Sequence, residues 1–151
     1  MTAVGKGYCI IKKLGKGSFG QVVEAKCTRT GETVAIKRMA QFDTYDYNLV
    51  KVAREVMIMR AFKQMADERK VPTYSPMLFD MFMGNGSNLS LFIVMEQTSY
   101  DLKHVIKLAK STGMTEDHVR VIAYNILCAL KFQHSANIIH PDIKPANILI
   151  N

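Results

Sequence analysis

Asp142, Lys144 and Asn147 stand together in the stretch His140-Pro141-Asp142-Ile143-Lys144-Pro145-Ala146-Asn147. An aspartate can accept a hydroxyl proton, a lysine two residues on can offset phosphate charge, and an asparagine five residues on can offer oxygen to a metal. Such a set could hold a nucleophile, a phosphate charge and a metal in one loop, which is the chemistry of phosphoryl transfer. Far upstream, Gly15-Lys16-Gly17-Ser18-Phe19-Gly20 has the spacing G-x-G-x-x-G. Glycines let a backbone turn tightly and approach phosphate oxygens with no Cβ in the way. Alone, that pattern also describes an ordinary hairpin turn or a dinucleotide site. A dinucleotide site needs its glycines to open a helix whose N-terminus takes the pyrophosphate. Here they open Val22-Val23-Glu24-Ala25, which alternates and is β-branched, so that alternative is rejected.

Val34-Ala35-Ile36-Lys37 comes next. Strand alternation puts Ala35 and Lys37 on one face. The small alanine leaves room for a flat base, and the lysine reaches past it toward phosphates. Taken by itself, Lys37 would be a solvated strand lysine. Glu55 argues otherwise, because it lies within the apolar stripe of a helix, between Val52 and Val56. A carboxylate there is costly unless paired, and Lys37 is its natural partner. The competing picture is a rotated helix with Glu55 exposed beside Arg54.

These residues need elements to position them. Tyr8-Cys9-Ile10-Ile11 running into Leu14, then Val22 to Cys27, then Thr33 to Lys37 read as a three-stranded antiparallel meander, with a turn at Thr30-Gly31-Glu32. From about Asn48 to Ala66 the period is helical, with Val52, Val56, Met59 and Phe62 on one face. Val71 to Pro76 is a breaker segment. Leu78 to Met83 and Leu89 to Glu96 read as strands around a turn at Gly84-Asn85-Gly86-Ser87-Asn88. Asp101 is placed to cap a helix carrying Leu102, Val105, Ile106 and Ala109, with Gly113 beyond its end. Thr115 is placed to cap a longer helix with Glu116 and Asp117 in its first turn and a stripe of Val119, Ile122, Ala123, Ile126 and Leu130. Asn137 reads as its stop. Ile138-Ile139 and Ile148-Leu149-Ile150 are expected as short strands around the Asp142 loop.

The bulk numbers suit this picture. The chain has 151 residues, 48% hydrophobic and 22% charged, enough for one ordinary domain. Ten methionines and no tryptophan predict a core filled partly by flexible thioethers. A net charge of +7 could serve nucleic acid or an acidic membrane surface. However, the basic residues are dispersed, without a long run or aromatic interleaving, so no nucleic-acid or membrane partner is expected. Cys9, Cys27 and Cys128 show no metal spacing and fit a reducing compartment. Cys9 and Cys27 fall roughly across a hairpin, and no disulfide is expected. No segment reaches the length of a transmembrane helix, and Met1 to Lys13 lacks a cleavable leader pattern. The expected location is the cytoplasm, with the nucleus as a second compartment.

Three separated motifs thus agree in type and order, and the chain resembles the eukaryotic protein kinase family from about Tyr8 to Asn151. Gly15 to Val22 matches G-x-G-x-x-G-x-V, Val34 to Lys37 matches V-A-I-K, and Asp142 to Asn147 is similar to the catalytic loop. Within the family it looks most like a mitogen-activated protein kinase, with cyclin-dependent kinases the near alternative. That likeness rests on Ala35-Ile36-Lys37-Arg38 with Phe42, on Arg54-Glu55, on Tyr100-Asp101-Leu102, and above all on Tyr124 to Asn137. The implied fold is α+β, a five-stranded antiparallel N-lobe with one helix at 1–96 and the first part of a helical C-lobe at 97–151. The implied activity is ATP-dependent phosphorylation of Ser or Thr hydroxyls on intracellular signalling proteins, with ATP and Mg²⁺ as cofactors. Expected partners are the protein substrates, with an upstream kinase or a scaffold.

By position, the resemblance makes Asp142 the catalytic base and Lys144 the residue that offsets charge on the transferring phosphoryl group. Asn147 becomes a Mg²⁺ ligand, and Lys37 paired with Glu55 holds the α- and β-phosphates. The loop Gly15, Lys16, Gly17, Ser18, Phe19 and Gly20 covers the nucleotide. Leu14, Val22 and Ala35 sandwich the base, Met95 stands behind it as gatekeeper, and Glu96 and Thr98 offer hinge backbone groups. A lysine two residues after the aspartate is similar to Ser/Thr rather than Tyr kinases.

The chain departs from the pattern in three ways. Pro141 stands where most of these kinases have Arg, so a phosphorylated activation loop loses an ion-pair partner. The segment Lys63 to Pro76 reads as a longer, more irregular link than usual. The Asp-Phe-Gly motif is not in the 151 residues. The chain alone is therefore expected to be weakly active or inactive, with Ile122, Ile126 and Leu130 bare and prone to aggregation or partner binding. The alternative expectation is a non-catalytic, kinase-like binding or regulatory module.

Overall fold

The computed structural model describes residues 7–17, 20–40, 46–84 and 90–150. Ser18, Phe19, Phe42, Leu89, Asn151 and the expected turn residues Asn85 to Asn88 lie outside them. The chain divides into two compact units, Met1–Gln97 and Thr98–Asn151.

The first unit contains strands β1 (Tyr8–Gly17), β2 (Gly20–Cys27) and β3 (Thr33–Ala40), helix α1 (Asp46–Arg69), and strands β4 (Leu78–Gly84) and β5 (Ser90–Glu96). They form one antiparallel sheet in the order β1-β2-β3-β5-β4. Alternation gives this sheet two apolar faces. Met39 of β3 and Leu91 and Ile93 of β5 meet Val52 and Val56 of α1 on one face. Val23, Ala25, Val34, Ile36 and Val94 form a core with Tyr8 on the other. Helix α1 buries Val52, Val56, Met59, Phe62 and Ala66, a stripe at helical spacing. Each of the four larger ones contributes about 1.5–3 kcal/mol.

Tyr8 and Phe82 belong to the two edge strands, yet their rings stack at 5.9 Å and Phe82 stacks on Phe92 at 5.0 Å. The Tyr8 hydroxyl also donates to Asp80 at 3.2 Å. The sheet therefore curls until its edges meet over this second core. In β1–β2, Cys27 pairs with Tyr8 and Cys9 with Lys26, so the cysteines are one register position apart, and both are free.

Helix α1 runs past the expected Ala66 to Arg69, which makes half of the supposed irregular link helical. Side chains four apart hold that last stretch: Lys63 pairs with Asp67 at 2.7 Å and Gln64 donates to Glu68 at 2.8 Å. Lys70 then takes φ +55, and the Val71 N–H closes on the Ala66 carbonyl at 3.1 Å. The irregular part shrinks to Lys70–Met77.

The second unit has β6 (Tyr100–Asp101), α2 (Leu102–Thr112), α3 (Glu116–Ser135), a 3-10 turn (Pro145–Asn147) and β7 (Leu149–Ile150). Asp101 caps α2, its Oδ1 accepting the His104 N–H at 2.7 Å, and Gly113 ends it at φ +78. Thr115 caps α3 in a reciprocal box with His118, each accepting the other's N–H at 3.3 Å. Asn137 stops α3 at φ +56.

Ile138-Ile139 is not a strand. The Ile138 N–H is taken by the Gln133 carbonyl at 3.1 Å as the helix closes, which removes it from any ladder. The partner of β7 is β6 instead, with Tyr100 opposite Ile150 and Asp101 opposite Leu149. The expectation of a bare stripe also shifts: Ile122, Ile126 and Leu130 are half-buried. The exposed apolar residues of α3 are Val119, Val121, Tyr124 and Leu127. No helix among the described residues is long and apolar enough to cross a membrane.

Candidate active site

In the first unit, sheet register aligns the candidate residues into rows. Gly15 lies opposite Val22, Val22 opposite Lys37, and Lys37 opposite Ile93. The neighbouring row runs Glu24, Ala35, Met95. Lys37 Nζ donates to both oxygens of Glu55, at 2.7 and 2.8 Å. Their side chains keep 20% and 34% of their exposure, so the pair sits at the mouth of the helix–sheet core rather than in it. Glu55 is on the α1 face that carries Val52 and Val56, one residue off the fully buried line. The rotated-helix alternative is thereby set aside.

Leu14 occupies a bulge in β1, where pairing slips between Lys13 and Gly15, and it is exposed. Lys16 and Gly17 continue β1 and pair with Gln21 and Gly20, so the glycine motif is the tip of a hairpin. Two glycines of that tip differ in kind. Gly20 has φ +141, and a Cβ there would run onto the backbone carbonyl oxygen of Arg38. Only glycine fits that approach of β2 to β3. Gly15 has no described atom within 4 Å of an added Cβ. No described neighbour therefore requires glycine at that position.

Glu96 ends β5, and its N–H donates to the Met77 carbonyl at 2.9 Å. Of its two backbone groups, the carbonyl is then the one left as a hinge candidate. Thr98 follows as the first residue of the second unit. The sequence reading missed Glu24. Its carboxylate lies in the Ala35 row, 3.3 Å from Lys12 Nζ, and accepts from Gln97 Nε2 at 3.1 Å. Strand alternation with Ala35 was the available signal.

In the second unit, the 3-10 turn folds Asn147 back on Asp142. Asn147 Nδ2 donates to the Asp142 backbone carbonyl at 2.9 Å and to Oδ2 at 3.0 Å. Lys144 Nζ donates to the same Oδ2 at 2.6 Å. The three residues singled out by spacing are thus one hydrogen-bonded cluster, open to solvent. Its closest hydrogen bond, from Lys144, holds the Asp142 carboxyl below the usual carboxylate range, outweighing desolvation; the Lys144 charge and the Asn147 amide add to it. His140, unassigned from sequence, accepts the Asp142 N–H on Nδ1 at 3.1 Å. Pro141 between them has no N–H to compete for that acceptor.

The donor set bears on a metal. Among the described residues no three His, Cys, Asp or Glu cluster as metal ligands. Asn147 turns its amide nitrogen to Asp142, so Oδ1 is the side-chain atom of that amide able to coordinate a cation. Mg²⁺ is commonly held by one or two protein oxygens plus substrate phosphates. This set fits an ion carried in with a nucleotide, not one held by the chain alone.

Comparison with known proteins gives the same direction. The family described as "Protein kinase domain" matches residues 8–151. The chain is 36% identical over 146 residues to Extracellular signal-regulated kinase 7 of Drosophila melanogaster, covering 95% of this chain and 15% of that protein. It is 33% identical over 144 residues to Mitogen-activated protein kinase 17 of Arabidopsis thaliana, covering 95% and 28%. Mitogen-activated protein kinase mpkA of Aspergillus fumigatus is 32% identical over 149 residues, at 98% and 33%. The chain spans a third or less of the length of these relatives.

Proposed function

The chain belongs to the protein kinase family, and we propose that it carries the nucleotide-binding and hydroxyl-activating residues of an ATP-dependent serine/threonine kinase similar to mitogen-activated protein kinases. The observation that carries this reading is the Lys37–Glu55 pair, set in register with Gly15 and Val22. Glu55 holds the ammonium in place above the Ala35 face, where it can meet α- and β-phosphate oxygens. Gly15 leaves space for those oxygens to approach the hairpin.

Asp142 orients the acceptor hydroxyl and takes its proton. Lys144 lowers the proton affinity of that carboxyl and, once phosphate arrives, can exchange Oδ2 for the transferring group. Asn147 fixes the loop through two hydrogen bonds and would hold the cation by Oδ1. Bound Mg²⁺ would neutralise phosphate charge. The cytoplasm and nucleus are the proposed compartments, and Ser- or Thr-bearing proteins the substrates.

Calorimetric titration of MgATP into the full chain tests the reading. Lys37→Met should weaken binding at least tenfold while the fold, followed by amide NMR, is kept. Unchanged affinity would remove the main support. A kinase-like binding module is the second reading, favoured by the exposed Val121, Tyr124 and Leu127 on α3. It predicts nucleotide binding without phosphate transfer to any Ser/Thr peptide, and no effect of Asp142→Asn on partner capture.

A further inference from the structure

Glu24 sits on the face of β2 that carries Val22, opposite Ala35 of β3, and its side chain keeps 13% of its exposure. A carboxylate so far from water is costly unless paired. Its chain neighbours Val23 and Ala25 fill the core on the opposite face, which Glu24 does not enter. Two donors supply the pairing. Lys12 Nζ, from the facing position on β1, stands 3.3 Å from Oε2, and Gln97 Nε2 donates to the same oxygen at 3.1 Å. Lys12 is exposed and carries the balancing charge, while Gln97 is half-buried.

Gln97 directly follows Glu96, and the peptide joining them carries the carbonyl left free for a base. Glu96 is tied on the side of β4: its N–H donates to the Met77 carbonyl at 2.9 Å, and its Oε2 accepts the Met77 N–H at 3.2 Å. Gln97 is tied on the side of β2, reaching past β3 to Glu24. In the sheet order β2-β3-β5-β4 these two anchors lie on opposite sides of β5. The peptide between them can turn little about the strand axis, so its carbonyl keeps one direction.

We infer that Glu24 is a positioning residue for the nucleotide base: by holding the Gln97 side chain it fixes the direction of the Glu96 carbonyl, the acceptor offered to the base. The inference rests on the nucleotide-binding reading above and adds to it a residue that acts without touching the ligand. An acceptor already held in place needs no ordering when the ligand arrives, so the gain falls on affinity for the base. Affinity for phosphate belongs to the neighbouring row of Gly15, Val22 and Lys37 and is independent of Glu24.

The test titrates the full chain, followed by NMR, with MgATP, with adenosine, which has no phosphate, and with magnesium tripolyphosphate, which has no base. Glu24→Ala and Gln97→Ala should each weaken MgATP and adenosine about tenfold, the scale of one hydrogen bond to a charged group. Tripolyphosphate affinity should not move. The double variant should bind no more weakly than either single one, since the two residues act as a unit. Glu24→Gln keeps an oxygen for Gln97 and should hold affinity within about twofold of the wild type. The Gln97 side-chain amide should resonate apart from free glutamine amides and move to their position in Glu24→Ala. A Glu24 that only stabilises the fold would shift urea unfolding and leave adenosine affinity of the folded chain intact, which overturns the inference. So does a loss in Glu24→Ala that Gln97→Ala does not share, because the carboxylate would then touch the base itself. An equal loss for tripolyphosphate overturns it too. A wild-type chain that binds neither MgATP nor adenosine overturns the nucleotide reading and this inference together. Nucleotide binding that both alanine variants leave unchanged overturns this inference alone.

Discussion

The Lys37–Glu55 pair should be worth about 1–2 kcal/mol of coupling to the first unit, and a double-mutant cycle can read it. At 2.7 Å, Coulomb's law gives about 6 kcal/mol at an effective dielectric of 20 and about 1.5 kcal/mol at 80. The side chains keep 20% and 34% exposure, so water screens part of this, and partial desolvation of both ions offsets more. The net should exceed the roughly 0.2–1 kcal/mol of fully exposed pairs. It should fall short of the ~3–5 kcal/mol lost when a fully buried ion loses its partner. The variants are Lys37→Met, Glu55→Gln and the double. Urea unfolding followed at the Ile36 and Val56 amides keeps the measurement on β3 and α1, where the pair acts. Each single change should shift the unfolding constant by roughly tenfold or more, and the double by less than the product of the two. A coupling below about 0.3 kcal/mol would refute the reasoning, because the pair would then be a surface contact unable to hold a lysine in place for phosphate.

Gly20→Ala should cost more than ~2 kcal/mol in the same unfolding assay, since its Cβ meets the Arg38 carbonyl and its φ is positive. Gly15→Ala should leave stability within about 0.5 kcal/mol and instead weaken nucleotide binding measured by calorimetry. Thr115→Ala removes the α3 cap and should cost about 1 kcal/mol by thermal unfolding followed at 222 nm. The lowered Asp142 pKa stabilises the fold above the unfolded value near ~3.9, and that contribution fades as pH falls through the folded value. In a carbon-detected titration, Lys144→Met should move the Asp142 pKa back up toward the ordinary carboxylate range.

The residues that could do chemistry were legible because each sits in a short, local pattern. Asp142, Lys144 and Asn147 are within six residues of one another, and one 3-10 turn suffices to bring them together. Lys37 and Glu55 lie 18 residues apart in different elements, but strand alternation and helical spacing point each at the same core edge. The N-caps at Asp101 and Thr115 follow from single residue types. What escaped was pairing at a distance. Nothing in Ile138-Ile139 reveals that its N–H is spent closing α3, or that Tyr100-Asp101 waits as the partner of β7. The curl that brings Tyr8 to Phe82 and Asp80 is equally invisible, since it joins opposite edges of a five-stranded sheet.

The glycine motif shows why a pattern match and a physical role need separating. All three glycines satisfy G-x-G-x-x-G, and the sequence offers one reason for them, close approach to phosphate. The fold divides the motif. Gly20 is demanded by the chain itself, since β2 passes so near the Arg38 carbonyl that no side chain fits, and it would be glycine with no ligand at all. Gly15 is demanded by nothing described, and its freedom lies in the row shared with Val22 and Lys37. A feature the fold does not need, placed beside a lysine that a carboxylate holds in position, is better support for a phosphate-facing surface than the motif as a whole.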